Sequence, residues 1–271
     1  MRLAIRHSTS YSFAHPVAHG LQRLRLTPKA TQGQTILDWR MEYEGATEQL
    51  VYEDQHVNTV ALVSVDEGAQ KVVVTCRGMV DTEDNAGVIG WHSGHLPLWA
   101  FLAQTKRTRP GPAMRKLVEQ AKANEDKTIE QLHALSGMIL DKVEYRTHTS
   151  KVTTTGEEAV ADGLGVCQDH THIFCGAARA LGVPARYVSG YLMMDDRIDQ
   201  EATHAWAEAH VDGLGWVGFD ISNGISPDAR YVRVATGRDY DEAAPVTGIS
   251  YGAGEESLHV DLAVEQQTVE Q

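Results

Sequence analysis

A cysteine, a histidine and an aspartate occur in this chain in contexts that could carry out nucleophilic catalysis. Cys167 lies in Gly-Val-Cys-Gln-Asp, His204 in Thr-His-Ala-Trp and Asp220 in Gly-Phe-Asp. A thiol attacks a carbonyl carbon when a neighbouring imidazole takes its proton, and a carboxylate can hold that imidazole in the productive orientation. These residues are the candidate nucleophile, base and orienting acid.

The sequence that follows Cys167 has the pattern of a helix. Gly182 and Pro184 predict where this helix ends. An apolar stripe with helical spacing is formed by Phe174, Ala177, Ala178 and Leu181. Extended backwards, the stripe places Cys167 on the buried face at the helix N-terminus. Unpaired N–H groups and the helix dipole favour negative charge there, which stabilises a thiolate. Cys175, in the middle of the helix, is predicted to be structural.

Residues on both sides of Cys167 are candidates for binding the substrate carbonyl. Gly163 and Gly165 allow unusual backbone angles just before the helix, so that a carbonyl could approach the N–H of Cys167. That N–H is the candidate for one oxyanion donor. Gln168 and Tyr145 are alternative candidates for the second donor.

His204 is expected on a strand that forms a hairpin with the segment containing Asp220. Alternation over residues 203–211 places Trp206 on the same face as His204, where it could line the substrate groove. In a regular hairpin, His204 and Asp220 share a face only if the loop has an odd number of residues. We expect a three-residue loop over 211–213 with Gly213 at positive φ, which would set His204 opposite Asp220, or a bulge that restores the phase.

The elements that must position these residues divide into two regions. Residues 1–90 are predicted to be a β-rich domain, because short alternating or β-branched runs recur there. These runs are Met1–Thr9, Trp39–Tyr43, Thr59–Val65 and Lys71–Val80. Residues 91–271 contain helical patterns followed by strands and are predicted to be the catalytic domain. The fold class is therefore α+β.

Composition limits the partners of the protein. The formal net charge is −13, which argues against nucleic acid and anionic membranes. No apolar run approaches the length of a membrane span, and the first twenty residues lack the pattern of a signal peptide. Three cysteines without close pairs favour a reducing compartment, so we expect a cytoplasmic protein. No metal or cofactor is expected, because His170 and His172 do not share a helix face.

The chain contains several longer motifs around and between these residues. They are Gly-Val-Cys-Gln-Asp-His-Thr-His, Arg-Ala-Leu-Gly-Val-Pro-Ala-Arg-Tyr-Val-Ser-Gly-Tyr, His-Ala-Trp-Ala-Glu and Gly-Trp-Val-Gly-Phe-Asp-Ile-Ser-Asn-Gly. These motifs resemble the bacterial transglutaminase-like superfamily, in its branch of candidate cysteine proteases. The resemblance is closest over 163–248, and Ile221-Ser222 departs from the Pro-Thr of many relatives. It implies a papain-like transglutaminase core after an N-terminal β-rich domain, with Cys167 as nucleophile, His204 as base and Asp220 as orienting acid.

The expected reaction is hydrolysis of an amide or peptide bond through a thioester, with a peptide, protein or amide as substrate. Transfer of the acyl group to an amine is the alternative. The loop 194–202 is rich in Asp and Glu and could attract a cationic amine. A binding protein that retains the fold without catalysis is a third hypothesis, which the complete set of Cys167, His204 and Asp220 disfavours.

Overall fold

The computed structural model describes residues 1–122, 128–200, 202–252 and 254–267. The strands are β1 Arg2–Phe13, β2 His19–Leu24, β3 Gln34–Glu44, β4 Ala46–Glu53, β5 Thr59–Val65, β6 Lys71–Thr82, β7 Val88–Gly90, β8 Glu144–Tyr145, β9 Leu164–Gly165, β10 Ala185–Leu192, β11 Asp199–Gln200, β12 His204–Val211, β13 Gly215–Phe219, β14 Tyr231–Gly237, β15 Val246–Tyr251 and β16 Glu256–Gln266. The helices are α1 Pro112–Ala121, α2 Thr128–Lys142, α3 Gly156–Asp162, α4 Cys167–Ala180 and α5 Tyr240–Ala243, with a short 3₁₀ helix at Leu98–Leu102.

Most strands of the first 90 residues form two sheets that pack on each other. Within the described residues, one sheet has the order β11-β16-β1-β6-β3 and the other the order β15-β2-β5-β4. Buried and less buried residues alternate along much of β1 and β6, which is the pattern of strands with one face in a core. Cys76 of β6 lies in the apolar layer between the sheets with no exposed surface.

A third sheet and the helices form the part of the molecule that carries Cys167. Its strand order is β14-β10-β12-β13-β7, with antiparallel pairing throughout. Helix α4 packs against β10 and β12, and Ala207 and Ala209 of β12 are fully buried in the same apolar cluster as the helix. The small alanine side chains permit this close approach. The α+β fold class is confirmed.

The sheets cross the proposed division of the chain at residue 90 in both directions. Strand β7 pairs with β13 of the third sheet, whereas β15 and β16, from the end of the chain, pair with β2 and β1. The boundary between 1–90 and 91–271 remains a prediction. In the part of the chain that the structure describes, no helix combines the length and apolarity needed to cross a membrane.

Candidate active site

The first turn of α4 presents Cys167 at the edge of a buried helix. Val166 is the N-cap residue, and its backbone N–H donates to Asp169 Oδ2 at 2.9 Å, which fixes the turn. Cys167 is partly exposed, whereas the helix is buried from Asp169 to Arg179. The first N–H groups of a helix have no acceptor within it. The thiol is therefore reachable from outside, next to backbone donors.

His204 begins strand β12 and connects Cys167 with Asp220. Its Nε2 lies 2.6 Å from Asp220 Oδ2, and Cys167 is close enough to contribute to the raised pKa of the imidazole. Burial alone lowers the pKa of His204, but the hydrogen bonds to Asp220 and Cys167 together raise it to about 10. The carboxylate of Asp220 and the neighbouring Cys167 therefore favour the protonated form of the imidazole.

Asp220 is fully buried and accepts hydrogen bonds from several directions. Tyr231 Oη and Asn223 Nδ2 each donate to Oδ2 at 2.7 Å, in addition to His204. Burial raises the pKa of Asp220, but the hydrogen bonds from His204, Tyr231 and Asn223 outweigh it and lower the pKa below its ordinary value. The carboxylate is therefore ionised and held in one orientation.

Two aromatic rings flank His204. Trp206 stacks at a centroid distance of 6.2 Å and an angle of 27°, and Tyr231 lies at 6.1 Å and 56°. Trp206 is only 1% exposed and belongs to a small apolar cluster with Tyr231. These rings restrict the imidazole to the plane in which it reaches both of its hydrogen-bond partners.

Two family models match two different regions of the chain. Residues 115–221, which include Cys167, His204 and Asp220, match the transglutaminase-like superfamily. Residues 3–81 match the bacterial transglutaminase-like N-terminal region. Together the two matches identify a transglutaminase-like core preceded by a bacterial transglutaminase-like N-terminal region. The resemblance inferred from the motifs is thus confirmed, and so is a transglutaminase-like core after an N-terminal β-rich region.

Relatives of similar length occur in mycobacteria, and a solved structure shares the fold. The chain is 28% identical to an uncharacterised protein of Mycobacterium leprae, covering 97% of this chain and 98% of that protein. It is 27% identical to an uncharacterised protein of Mycobacterium tuberculosis, with 97% and 92% covered. A protein from Cytophaga hutchinsonii, described as a candidate cysteine protease, superposes with a TM-score of 0.76 at 22% identity, over 100% of this chain and 92% of that one.

The residues that the sequence proposed for substrate binding lie in three different settings. Gln168 follows Cys167 and donates from Nε2 to the carbonyl oxygen of Val152 at 3.1 Å. Trp206 lies behind His204, as described above. Gly165 is in β9, and its φ is not in the left-handed region. A Cβ at Gly165 would come within 2.9 Å of the Asp169 Cβ, so glycine provides space there rather than an unusual backbone angle. Gly163, by contrast, has a φ of 69°.

The hairpin between β12 and β13 agrees with the prediction in its phase and differs in its register. Val211 pairs with Gly215, so the three-residue loop is 212–214 and not 211–213. Gly213 has a φ of 83°, as expected for its place in the loop. Ala207 pairs with Phe219, so Asp220 lies diagonally from His204 on the same face. The odd loop length preserves the shared face, and the diagonal distance still permits the hydrogen bond.

Several polar residues near the site were not identified from the sequence. Tyr231 and Asn223 were missed, although Asn223 follows Asp220 by three residues, a spacing typical of side-chain contacts in a turn. Glu208, on the same strand as His204, is fully buried and pairs with Arg186 Nε at 2.6 Å and with Arg233. Alternation alone does not show that both faces of β12 are covered.

The two histidines of α4 have separate partners. His172 Nε2 accepts from the backbone N–H of Tyr240 at 3.2 Å, whereas His170 contacts Val143 and Ser222. Among the residues that the structure describes, no group of three or more His, Cys, Asp or Glu side chains is placed to hold a metal ion. Each ring thus has hydrogen-bond partners within the protein.

The acidic loop 194–202 has some of its charges paired. Asp195 Oδ2 lies 3.2 Å from Arg230 Nη1, and Arg197 Nε lies 3.5 Å from Asp196 Oδ1. Asp199 is in β11, which joins the sheet of β1, and Glu201 lies outside the described residues. Pairing with arginine reduces the attraction that this loop could exert on a cation.

Proposed function

We propose that the protein is a thiol-dependent hydrolase of amide or peptide bonds, with Cys167 as nucleophile, His204 as general base and acid, and Asp220 as the group that orients His204. The observation that carries this proposal is the position of His204, which is hydrogen-bonded to Asp220 at 2.6 Å and whose pKa is also raised by Cys167 at the N-terminus of α4. A protonated imidazole and the helix N-terminus both stabilise a thiolate.

The reaction follows from this arrangement. The Cys167 thiolate attacks the substrate carbonyl, and a tetrahedral oxyanion forms near the N–H of Cys167. His204 donates its proton to the nitrogen of the leaving amine as the carbon–nitrogen bond breaks, which leaves a thioester. Water then attacks the thioester, His204 takes its proton, and the acid is released with regeneration of the thiolate. Gln168 and Tyr145 are the candidates for the second oxyanion donor.

Similarity to known proteins supports a thiol-dependent enzyme. The protein that shares the fold at a TM-score of 0.76 is described as a candidate cysteine protease, and we extend that chemistry to this chain. A peptide or protein substrate suits that assignment, although another amide would use the same steps. The net charge of −13 disfavours nucleic acid as a partner. We retain a cytoplasmic location as part of this proposal.

Hydrolysis is favoured over acyl transfer to an amine. A transferase has to bind the amine and exclude water until the amine attacks. The acidic loop 194–202 is the candidate amine site, but Asp195 is engaged by Arg230 and Asp196 by Arg197. A non-catalytic binding protein, the third hypothesis, would not require that Cys167, His204 and Asp220 be hydrogen-bonded in series.

The decisive experiment is an assay of the purified protein against a peptide library, with and without millimolar primary amine. We expect cleaved products with free carboxylates, and only a minor share of products that carry the amine. Cys167→Ala is the control for turnover. Saturable, nearly complete trapping by the amine would establish a transferase, and absence of any product in wild type and variant alike would favour the binding protein.

A further inference from the structure

His170 is a buried histidine one turn beyond Cys167, and both of its ring nitrogens are engaged. Nε2 lies 3.0 Å from the carbonyl oxygen of Val143, and Nδ1 lies 2.9 Å from Ser222 Oγ. Its side chain has no exposed surface. A carbonyl oxygen only accepts, so Nε2 carries the proton. In the neutral ring Nδ1 then accepts the hydroxyl proton of Ser222.

The environment of His170 keeps this ring neutral. Burial lowers the pKa of His170, and the hydrogen bond to the Val143 carbonyl and the charge of Asp220 only partly oppose it. The other titratable group described next to the ring is Tyr145, whose centroid is 6.2 Å away in an edge arrangement. The direction of the Ser222 hydrogen bond is therefore fixed.

The Ser222 hydroxyl belongs to the tight turn that carries Asp220. Asp220 N donates to the Ile225 carbonyl at 2.8 Å and Ile225 N donates back at 3.2 Å, so the turn is closed on itself. Ser222 lies two residues after Asp220, and His170 lies three residues after Cys167, on the same side of α4. Helix and turn are thus connected twice, once through His204 and once through the Ser222–His170 hydrogen bond.

We propose that His170 and Ser222 are a positioning pair, which fixes the turn of Asp220 against α4 and thereby sets the geometry in which His204 reaches both Asp220 and Cys167. Neither residue touches the reacting atoms. The inference rests on the proposed function of Cys167, His204 and Asp220.

The test uses alkylation of Cys167 by iodoacetamide, which needs no knowledge of the substrate. The rate is measured by mass spectrometry from pH 5 to 9 in wild type, Ser222→Ala and the matched control Ser222→Thr. We expect Ser222→Ala to alkylate about tenfold more slowly near pH 6, with the profile moved to higher pH, because loss of one buried hydrogen bond loosens the hold of Asp220 on His204. Ser222→Thr should behave as wild type. A wild-type profile in folded Ser222→Ala would overturn the proposal.

Substitution of His170 separates positioning from simple structural support. In His170→Gln the amide can still donate to the Val143 carbonyl but loses the acceptor for Ser222, whereas His170→Asn places an acceptor close to the former Nδ1. We expect the glutamine variant to show the same slowed, displaced profile and the asparagine variant to recover part of the wild-type rate. Equal profiles for both variants, whether wild-type or slowed, would contradict the proposal.

The outcomes distinguish this inference from the proposed function. If wild type cleaves peptides but folded Ser222→Ala has an unchanged profile and an unchanged kcat, only the positioning pair fails. If wild type cleaves nothing while the Ser222→Ala profile is displaced, the pair positions Cys167 and the hydrolase assignment fails. If peptide cleavage is observed, the proposal also requires that Ser222→Ala lower kcat while KM stays close to wild type.

Discussion

The first turn and the middle of helix α4 each carry a cysteine, and the two thiols differ in every property that matters for reactivity. Cys167 is partly exposed and hydrogen-bonded to His204. Cys175 is fully buried in the apolar core, and burial raises its pKa to about 12. The same helix thus leaves one thiol partly exposed at its N-terminus and encloses the other. Residue type alone does not make a cysteine a candidate nucleophile. It must also lie at an accessible position of the helix, next to a strand that supplies a residue such as His204.

The strongest test of this comparison replaces each cysteine in turn. Cys167→Ala should abolish turnover and leave the fold close to wild type, because it removes a small, partly exposed side chain. Cys175→Ala, the matched variant two turns further on, should retain turnover and lose about 1 kcal/mol of unfolding free energy to a small cavity. Activity and thermal unfolding are measured on both. Wild-type turnover by Cys167→Ala would place the chemistry elsewhere.

Replacement of Asp220 tests whether its hydrogen bond to His204 contributes to the difference between Cys167 and Cys175. Asp220→Asn should lower kcat by about 10²- to 10⁴-fold and leave measurable activity, because the carboxylate orients and stabilises His204 without reacting itself. Steady-state kinetics measure the effect. A kcat equal to wild type would show that Asp220 has only a structural role, despite its hydrogen bond to His204 at 2.6 Å.

Direct labelling compares the thiols within one molecule. At pH 7 and limiting iodoacetamide, Cys167 should alkylate at least about 100-fold faster than either Cys175 or Cys76. Burial raises the pKa of the Cys76 thiol to about 11. Mass spectrometry of the folded protein identifies the modified residues. Equal labelling of the three would remove the argument that His204 activates Cys167, and labelling after unfolding provides the control for intrinsic accessibility.

The sequence predicted what local patterns encode and missed what distant segments contribute. The apolar stripe and the Gly182–Pro184 stop located α4, and alternation with an odd loop placed His204 and Asp220 on one face. Strand β4 was not predicted, because all of its residues after Ala46 are exposed and it has no alternating pattern. The pairing of β16 with β1 has no local signal, since each strand specifies only its own faces.

The residues that hold Asp220 and its turn in place were not predicted from the sequence for a related reason. Tyr231 lies at the start of β14, and its hydroxyl reaches Asp220 only because β14 joins the sheet on the far side of β10. From the sequence, His170 was considered only as a metal ligand, on the basis of its ring nitrogens and its spacing from His172 within the helix. Its contact with Ser222 depends on how the turn of Asp220 docks on α4. Such contacts follow from the assembled fold.

The smallest expected effect is on stability, and its sign follows from His204. Its pKa is raised from an ordinary value of about 6.5 to about 10 in the folded protein, so the folded state binds the proton more tightly than the unfolded state. This contribution is fully present below about pH 6.5 and is lost as the pH rises through about 10. Wild type should therefore be more stable than His204→Gln at pH 6, and the difference between them should shrink to a small value at pH 10.5. Thermal unfolding of both proteins across this range measures the difference, and the comparison removes the titration of groups that do not interact with His204. A difference that stays constant from pH 6 to pH 10.5 would show that the proton on His204 is not held by Asp220 and Cys167. The first turn of α4 would then differ from the middle of the helix in exposure alone.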